Sequence, residues 1–94
     1  MKIEGLIWLE DIVEKLEQKH KVLQNEVREV LQSNPHFRFV EKGYRSGENV
    51  YAALGRTQGG RYLIIFFVYK KDRRALVLSA RDMTPAERKR YEKR

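Results

Sequence analysis

The run "YLIIFFVY", residues 62–69, constrains the fold more than any other segment of this chain. It is too short to cross a membrane as a helix, which needs about 20 apolar residues. It also lacks the polar alternation of a half-exposed strand. A strand that is apolar on both faces belongs in the middle of a sheet, with helices covering one side. In a chain of 94 residues this implies one domain, residues 1–94, near the small end of what buries its own core. Hydrophobic residues make up 41% of the chain, the composition of a folded protein and not of a disordered one. Cysteine is absent, which excludes a disulfide framework and a thiolate-held zinc site and fits a reducing compartment. The opening "MKIEGLIWLED" lacks the unbroken apolar stretch of a signal peptide. A cytoplasmic location with no membrane partner is therefore expected.

The periodicity on either side of the run assigns the other elements. Residues 2–8 read as a short first strand ending at Trp8. Leu9, Ile12, Val13 and Leu16 share one face of an amphipathic helix of about three turns, which Asp11 is placed to cap. That helix ends near residues 19–22. Leu23, Val27, Val30 and Leu31 recur at helical spacing in a second helix. "SNP" at 33–35 stops it, because proline disfavours helix in the residue before it. The period then changes to strands: residues 36–42 with Phe37 and Phe39 on one face, residues 49–57, the apolar run, and residues 75–81. Thr84, Pro85 and Glu87 compose an N-cap, a first helical position and a capping-box partner, so a last helix should run from Pro85 to the end. The order is β-α-α-β-β-β-β-α. This predicts an α+β domain with an antiparallel sheet, two N-terminal helices on one face and one C-terminal helix. The other face should be left free as a working surface.

Charge is unevenly spread. Lys and Arg number 20 against 13 Asp and Glu, a formal net of +7. Residues 1–34 hold five basic and seven acidic side chains, a net of −2, and residues 35–94 hold fifteen and six, a net of +9. A basic C-terminal two-thirds suggests an anionic partner, whether nucleic acid, an acidic protein or a membrane surface, and composition alone does not choose among them. The tail concentrates it in Arg81, Arg88, Lys89, Arg90, Lys93 and Arg94. His20 and His36 have no partner at metal-ligand spacing, and "GRTQGGR" lies in a hairpin without the strand-to-helix context of a nucleotide loop. What remains is arginine, lysine and tyrosine at element ends: Lys19, His20, Arg56, Arg61, Tyr69 and Arg81. Such groups suit RNA cleavage by attack of a 2′-hydroxyl. That reaction needs a base, an acid and stabilisation of a phosphorane, which arginine forks supply in pairs of hydrogen bonds. Each also has a bland reading: Arg81 paired with Asp82 or a glutamate, the tail helix a solvated face, Trp8 part of the core.

Several of these pieces stand collinearly in the pattern of a known family. "KHKV" after a first helix, "NP" after a second, "GE" before a strand with "ALGRT", then "GRYLIIFFVY", "SARDMT" and a final "ERKRY" resemble the BrnT family of bacterial toxins. The resemblance covers nearly the whole chain. It implies a RelE-like fold and a type II toxin–antitoxin component that acts as a metal-independent endoribonuclease, without a cofactor, and inhibits translation. The implied partner is a cognate antitoxin of ribbon-helix-helix type, with operator DNA bound only through the complex. By position, the family's Lys-His pair falls on Lys19 and His20, its Gly-Arg on Gly55 and Arg56, its Ser-Ala-Arg on Ser79 to Arg81 and its last tyrosine on Tyr91. The implied catalytic set is Lys19, His20, Arg56 and Arg81, with Arg61, Tyr69, Arg88, Lys89, Arg90 and Tyr91 contacting RNA. The chain departs from the family pattern at Leu9, which separates Trp8 from the first acidic residue, and at Lys21, where the family has glycine. The residue inventory also permits a non-catalytic basic module that binds nucleic acid or an acidic partner protein.

Overall fold

In the computed structural model, which describes residues 1–93, the apolar run is strand β4 (Tyr62–Tyr69), the middle strand of five. The others are β1 (Gly5–Ile7), β2 (His36–Glu41), β3 (Val50–Arg56) and β5 (Arg74–Asp82), in the spatial order β1-β5-β4-β3-β2. Strands β2 to β5 form an antiparallel meander, but β1 lies parallel to β5, with Gly5 opposite Arg74 and Ile7 opposite Leu76. The sheet is therefore mixed, which corrects the wholly antiparallel expectation. Three residues carry no signal of pairing direction. It is set by the helices that take the chain from β1 to the far edge of the sheet.

Helix α1 (Glu10–Lys15) runs on into a π-helical turn, Leu16–His20, and α2 (Gln24–Gln32) follows. Asp11 does not cap α1; the N-cap position is Leu9, which has no side-chain hydrogen bond to give. Helix α3 (Pro85–Glu92) begins as its sequence requires: Thr84 accepts the Glu87 N–H at 3.1 Å, and Glu87 accepts the Thr84 N–H at 2.8 Å. Arg94 lies outside the described residues.

One face of β4 places Leu63, Ile65 and Phe67, all fully buried, against Leu16, Val27, Val30 and Leu31. Gly55 makes room for this packing: a Cβ there would stand 3.1 Å from Val30 and 3.3 Å from Pro35. On the opposite face Ile64 packs with Ala52 and Leu54, and the half-buried Phe66, Met83 and Tyr91 close over them. Helix α3 thus covers one end of the face expected to be free. The rest of that face is a cleft of about 640 Å³ floored by Val50, Val68, Leu76 and Leu78.

A β-bulge in β5 decides which face Arg81 takes. Val77 is opposite Phe67 and Ser79 opposite Phe66, so Leu78 is an extra residue. Simple alternation from Ala75 and Val77 would point residue 81 at α1 and α2. The bulge reverses the phase and sends Arg81 to the α3 side.

Phe67→Ala should cost about 3–5 kcal/mol in urea unfolding, because its buried ring leaves a cavity between sheet and helices. Lys21, which ends the π turn at φ 56 and ψ 38, occupies a left-handed conformation that favours glycine. Lys21→Gly should raise the unfolding free energy by about 1 kcal/mol.

Candidate functional site

The end of the sheet where β3 stops, β4 starts and β5 stops gathers most of the residues singled out in the sequence. Arg61, at the entrance to β4, sits at its centre. Its Nε donates to Asp82 Oδ1 at 2.7 Å and its Nη2 to Asp82 Oδ2 at 3.2 Å. Nη1 donates to the Lys21 carbonyl at 2.6 Å and to Glu26 Oε1 at 3.1 Å, and Nη2 to the His20 carbonyl at 2.9 Å. A guanidinium has five N–H donors, and each of these has an acceptor. Two of those acceptors are carbonyls left over where the π turn ends. Arg61 therefore ties the first helical segment, α2 and the end of β5 to β4. It has no donor left over for a phosphate. Asp82 is held below the usual carboxylate range, first by its hydrogen bonds from Arg61, then by the Arg61 charge and the nearby His20.

Arg81 is also engaged, though less completely. Nη1 and Nη2 donate to the two oxygens of Glu87 at 2.7 and 3.0 Å, and Nη1 reaches the Asp82 carbonyl at 3.2 Å. Its guanidinium lies over the half-buried Phe66 ring, 5.6 Å from the centroid. The Arg81 fork pulls the Glu87 carboxyl down to about 2, with help from the Thr84 N–H and against the desolvation of its partly buried site. The same carboxylate closes the α3 capping box, so helix start and strand end are one unit.

Arg56 differs from both. It has no carboxylate within ion-pair reach among the described residues, and its guanidinium carbon lies 4.7 Å from the centroid of Tyr62, its cross-strand neighbour. Arg88, reaching down from α3, stands 3.9 Å from the same centroid. Tyr62 also packs edge-on to Tyr91 at 6.0 Å and donates its hydroxyl to Glu92 at 3.1 Å. Two cations so close repel by roughly 0.5–2 kcal/mol at an effective dielectric between water and a protein surface. Each cation–π contact returns about 0.5–1 kcal/mol at an exposed site. The Arg88–Glu92 ion pair, at 3.7 Å and half-exposed, adds little.

Of the remaining candidates, Lys89 and Arg90 are exposed on α3 without an ion pair among the described residues. Lys19 is exposed and His20 half-buried, both in the π turn on the helix-covered side of the same rim. Tyr69 is not brought to this end. It closes the opposite end of β4, where its hydroxyl donates to the Lys2 carbonyl at 2.6 Å. Tyr62, missed in the sequence, is the ring at which the arginines meet. Its position opposite Arg56 across the "TQGG" turn was the available signal. Among the described residues no three His, Asp or Glu side chains gather closely enough to hold a metal ion.

Fold and site together define a small basic α+β domain with a cationic rim at one end of its sheet. The sequence profile of the ribonuclease toxin BrnT of type II toxin–antitoxin systems matches residues 8–87. The chain belongs to the BrnT family. No curated protein matches it at a significant level.

Arg61→Ala should lower stability by about 2–3 kcal/mol in chemical unfolding, since it strands two carbonyls and two carboxylates. Arg61→Lys should recover little of this, because an ammonium cannot reproduce the fork. The folded carboxyl of Glu87 lies near 2 against an ordinary value of 4.5. Its pairing therefore stabilises the fold fully above pH 4.5 and is lost as pH falls from 4.5 to 2. Glu87→Gln should flatten the acid limb of a stability-versus-pH curve by about 1–2 kcal/mol after solvent screening.

Proposed function

We propose that this chain is the toxin of a type II toxin–antitoxin pair and inhibits translation as a metal-independent endoribonuclease with a RelE-like fold. One observation carries the reading beyond family membership: among the described residues Arg56 at the sheet rim has no carboxylate within ion-pair reach, and the exposed Lys89 and Arg90 of α3 make no ion pair. A cation left unpaired while its neighbours are neutralised is available to a phosphate.

In this reading Arg56 binds the scissile phosphate and stabilises the phosphorane. Arg81 adds its Nε–H, which has no acceptor among the described residues, while Glu87 holds the fork in place. Lys19 and His20, presented by the π turn on the other side of the rim, supply the base and the acid. Uncommon π turns recur at functional sites, which favours that placement. Arg88, Lys89, Arg90 and Tyr91 line the path of the RNA, and Arg61 supports the site by its grip on the π turn. Tyr69 supports the fold at the other end. The antitoxin, a DNA-binding protein of ribbon-helix-helix type, silences the toxin by laying acidic residues on this rim, and reaches operator DNA for the complex.

The test is growth and RNA integrity after induced expression in bacteria, with and without the neighbouring antitoxin. Growth arrest and RNA cleavage that the antitoxin relieves are expected; a toxin that arrests growth with intact RNA would leave the non-catalytic basic module as the better reading. In single-turnover assays Arg56→Ala should slow cleavage by about 10²–10³-fold, the scale of losing one transition-state donor. Replacing Arg88, Lys89 and Arg90 with glutamine should weaken RNA binding for all sequences about equally. It should also flatten the dependence of log K on log salt by roughly 0.7 for each phosphate no longer neutralised.

A further inference from the structure

We infer that Tyr62 is a positioning residue that assembles Arg56 and Arg88 into one two-pronged site for a single phosphate. The inference rests on the ribonuclease reading for its natural ligand, a phosphodiester of RNA, but the site itself follows from geometry alone.

Two elements converge on one ring, that of Tyr62 at the start of β4. Arg56 ends β3 directly opposite Tyr62, so strand pairing fixes the two side chains on the same face. Arg88 descends from α3. Both guanidinium carbons lie within 4.7 Å of the ring centroid. The two guanidinium carbons therefore stand no more than about 8.6 Å apart, a gap that two long, exposed arginine side chains can close on one phosphate, whose oxygens accept N–H bonds from both. The ring itself is fixed from two further sides, by Tyr91 at its edge and by the hydroxyl bond to Glu92.

The turn before β4 is shaped to the same end. Gly60 adopts φ +90, and a Cβ there would stand 3.3 Å from Nη2 of Arg56. A side chain at position 60 would therefore crowd the guanidinium. Arg88 shares the exposed Glu92, which among the described residues is the only carboxylate within ion-pair reach of either prong. The arrangement holds two like charges together with less than one compensating charge. A bound dianion removes that imbalance.

The first test uses inorganic phosphate and needs no RNA. The Nε–H resonances of Arg56 and Arg88 are followed by NMR as phosphate is added to the whole protein. Both should shift with one shared midpoint. In Tyr62→Leu both shifts should be lost, and Tyr62→Phe, which keeps the ring, should restore them to within about 3-fold of the wild-type midpoint. Separate midpoints, or a shared midpoint that survives Tyr62→Leu, would overturn the site. Thermal unfolding of each variant identifies a protein that has not folded, and for this Tyr62→Phe is the informative variant.

The second test uses an RNA oligonucleotide blocked at its 2′-hydroxyls. Arg56→Gln and Arg88→Gln should each weaken binding about 10-fold, and the double variant by well under 100-fold, because both prongs serve one phosphate. In the Tyr62→Leu background the two substitutions should become independent. Full additivity in the wild-type ring background would refute the shared site while leaving the ribonuclease reading intact. Wild-type protein that binds phosphate as described yet neither binds nor cleaves RNA would refute that reading and leave the anion site standing.

Discussion

The clamp made by Arg61 is the interaction on which the rest of the rim depends. Its five donors reach a carbonyl pair at the end of the π turn, a carboxylate on α2 and a carboxylate at the end of β5. Those acceptors lie 35 to 41 residues before Arg61 in the chain, for His20, Lys21 and Glu26, and 21 after it, for Asp82. A helix that ends in such a turn leaves its last carbonyls without partners in the helix. A planar fork spans them where an ammonium would not. The helical segment that carries Lys19 and His20 is thereby fixed to the strand that carries Tyr62, one residue after Arg61. Glu26 joins both jobs, since the same Oε1 accepts the Leu23 N–H at 3.0 Å and so caps α2. Position on the rim is inherited from this knot.

The second device is the bulge at Leu78. A strand of alternating period cannot present Val77 to the helices and Arg81 to the opposite face without a change of phase. The extra residue supplies it. Once turned, Arg81 meets Glu87 and anchors the first turn of α3. That anchor matters because α3 has little else: it contributes Tyr91 as its apolar contact, with Met83 just before it. A helix so polar is held by its ends and not by a hydrophobic stripe. Its seat in turn decides where Arg88 stands above Tyr62.

How far these features were legible follows from the range of the interactions that produce them. The central strand was legible because eight apolar residues in succession have few other places to go. The α3 start was legible because a capping box is local, confined to Thr84 through Glu87. The end of α2 followed from Pro35. The parallel pairing of β1, the bulge and the π turn were not legible, because each is fixed by tertiary packing and not by the residues that display it. The arginines singled out in the sequence do meet at one rim of the sheet, but the sequence did not sort them. Arg56, Arg61 and Arg81 are alike as residue types at strand ends. What separates them is which carboxylates the fold delivers to each, and Asp82, Glu26 and Glu87 arrive from three different elements. Tyr69 was grouped with them only because it ends the same strand, at the wrong end.

Sorting by carboxylates gives the arginines distinct work. Arg61 is saturated and structural. Arg81 is held bidentately, so its charge is present but its geometry is set by Glu87. Among the described residues Arg56 alone of the three is oriented by a ring and not by an anion. The difference has a physical consequence. A guanidinium fixed by a carboxylate must lose that partner, or share it, before it can give a fork to phosphate. One fixed by an aromatic face keeps its in-plane N–H donors unspent, because the ring occupies the direction normal to the guanidinium plane when the two stack. Stacking thus fixes an arginine without consuming the hydrogen bonds that make it useful. The same logic extends to Arg88 on the same ring, where a weak and exposed ion pair to Glu92 competes for far less of the fork. A domain that needs cations both to hold itself together and to meet an anion can use one residue type for both, provided the carboxylates are placed against the first set and aromatic rings against the second.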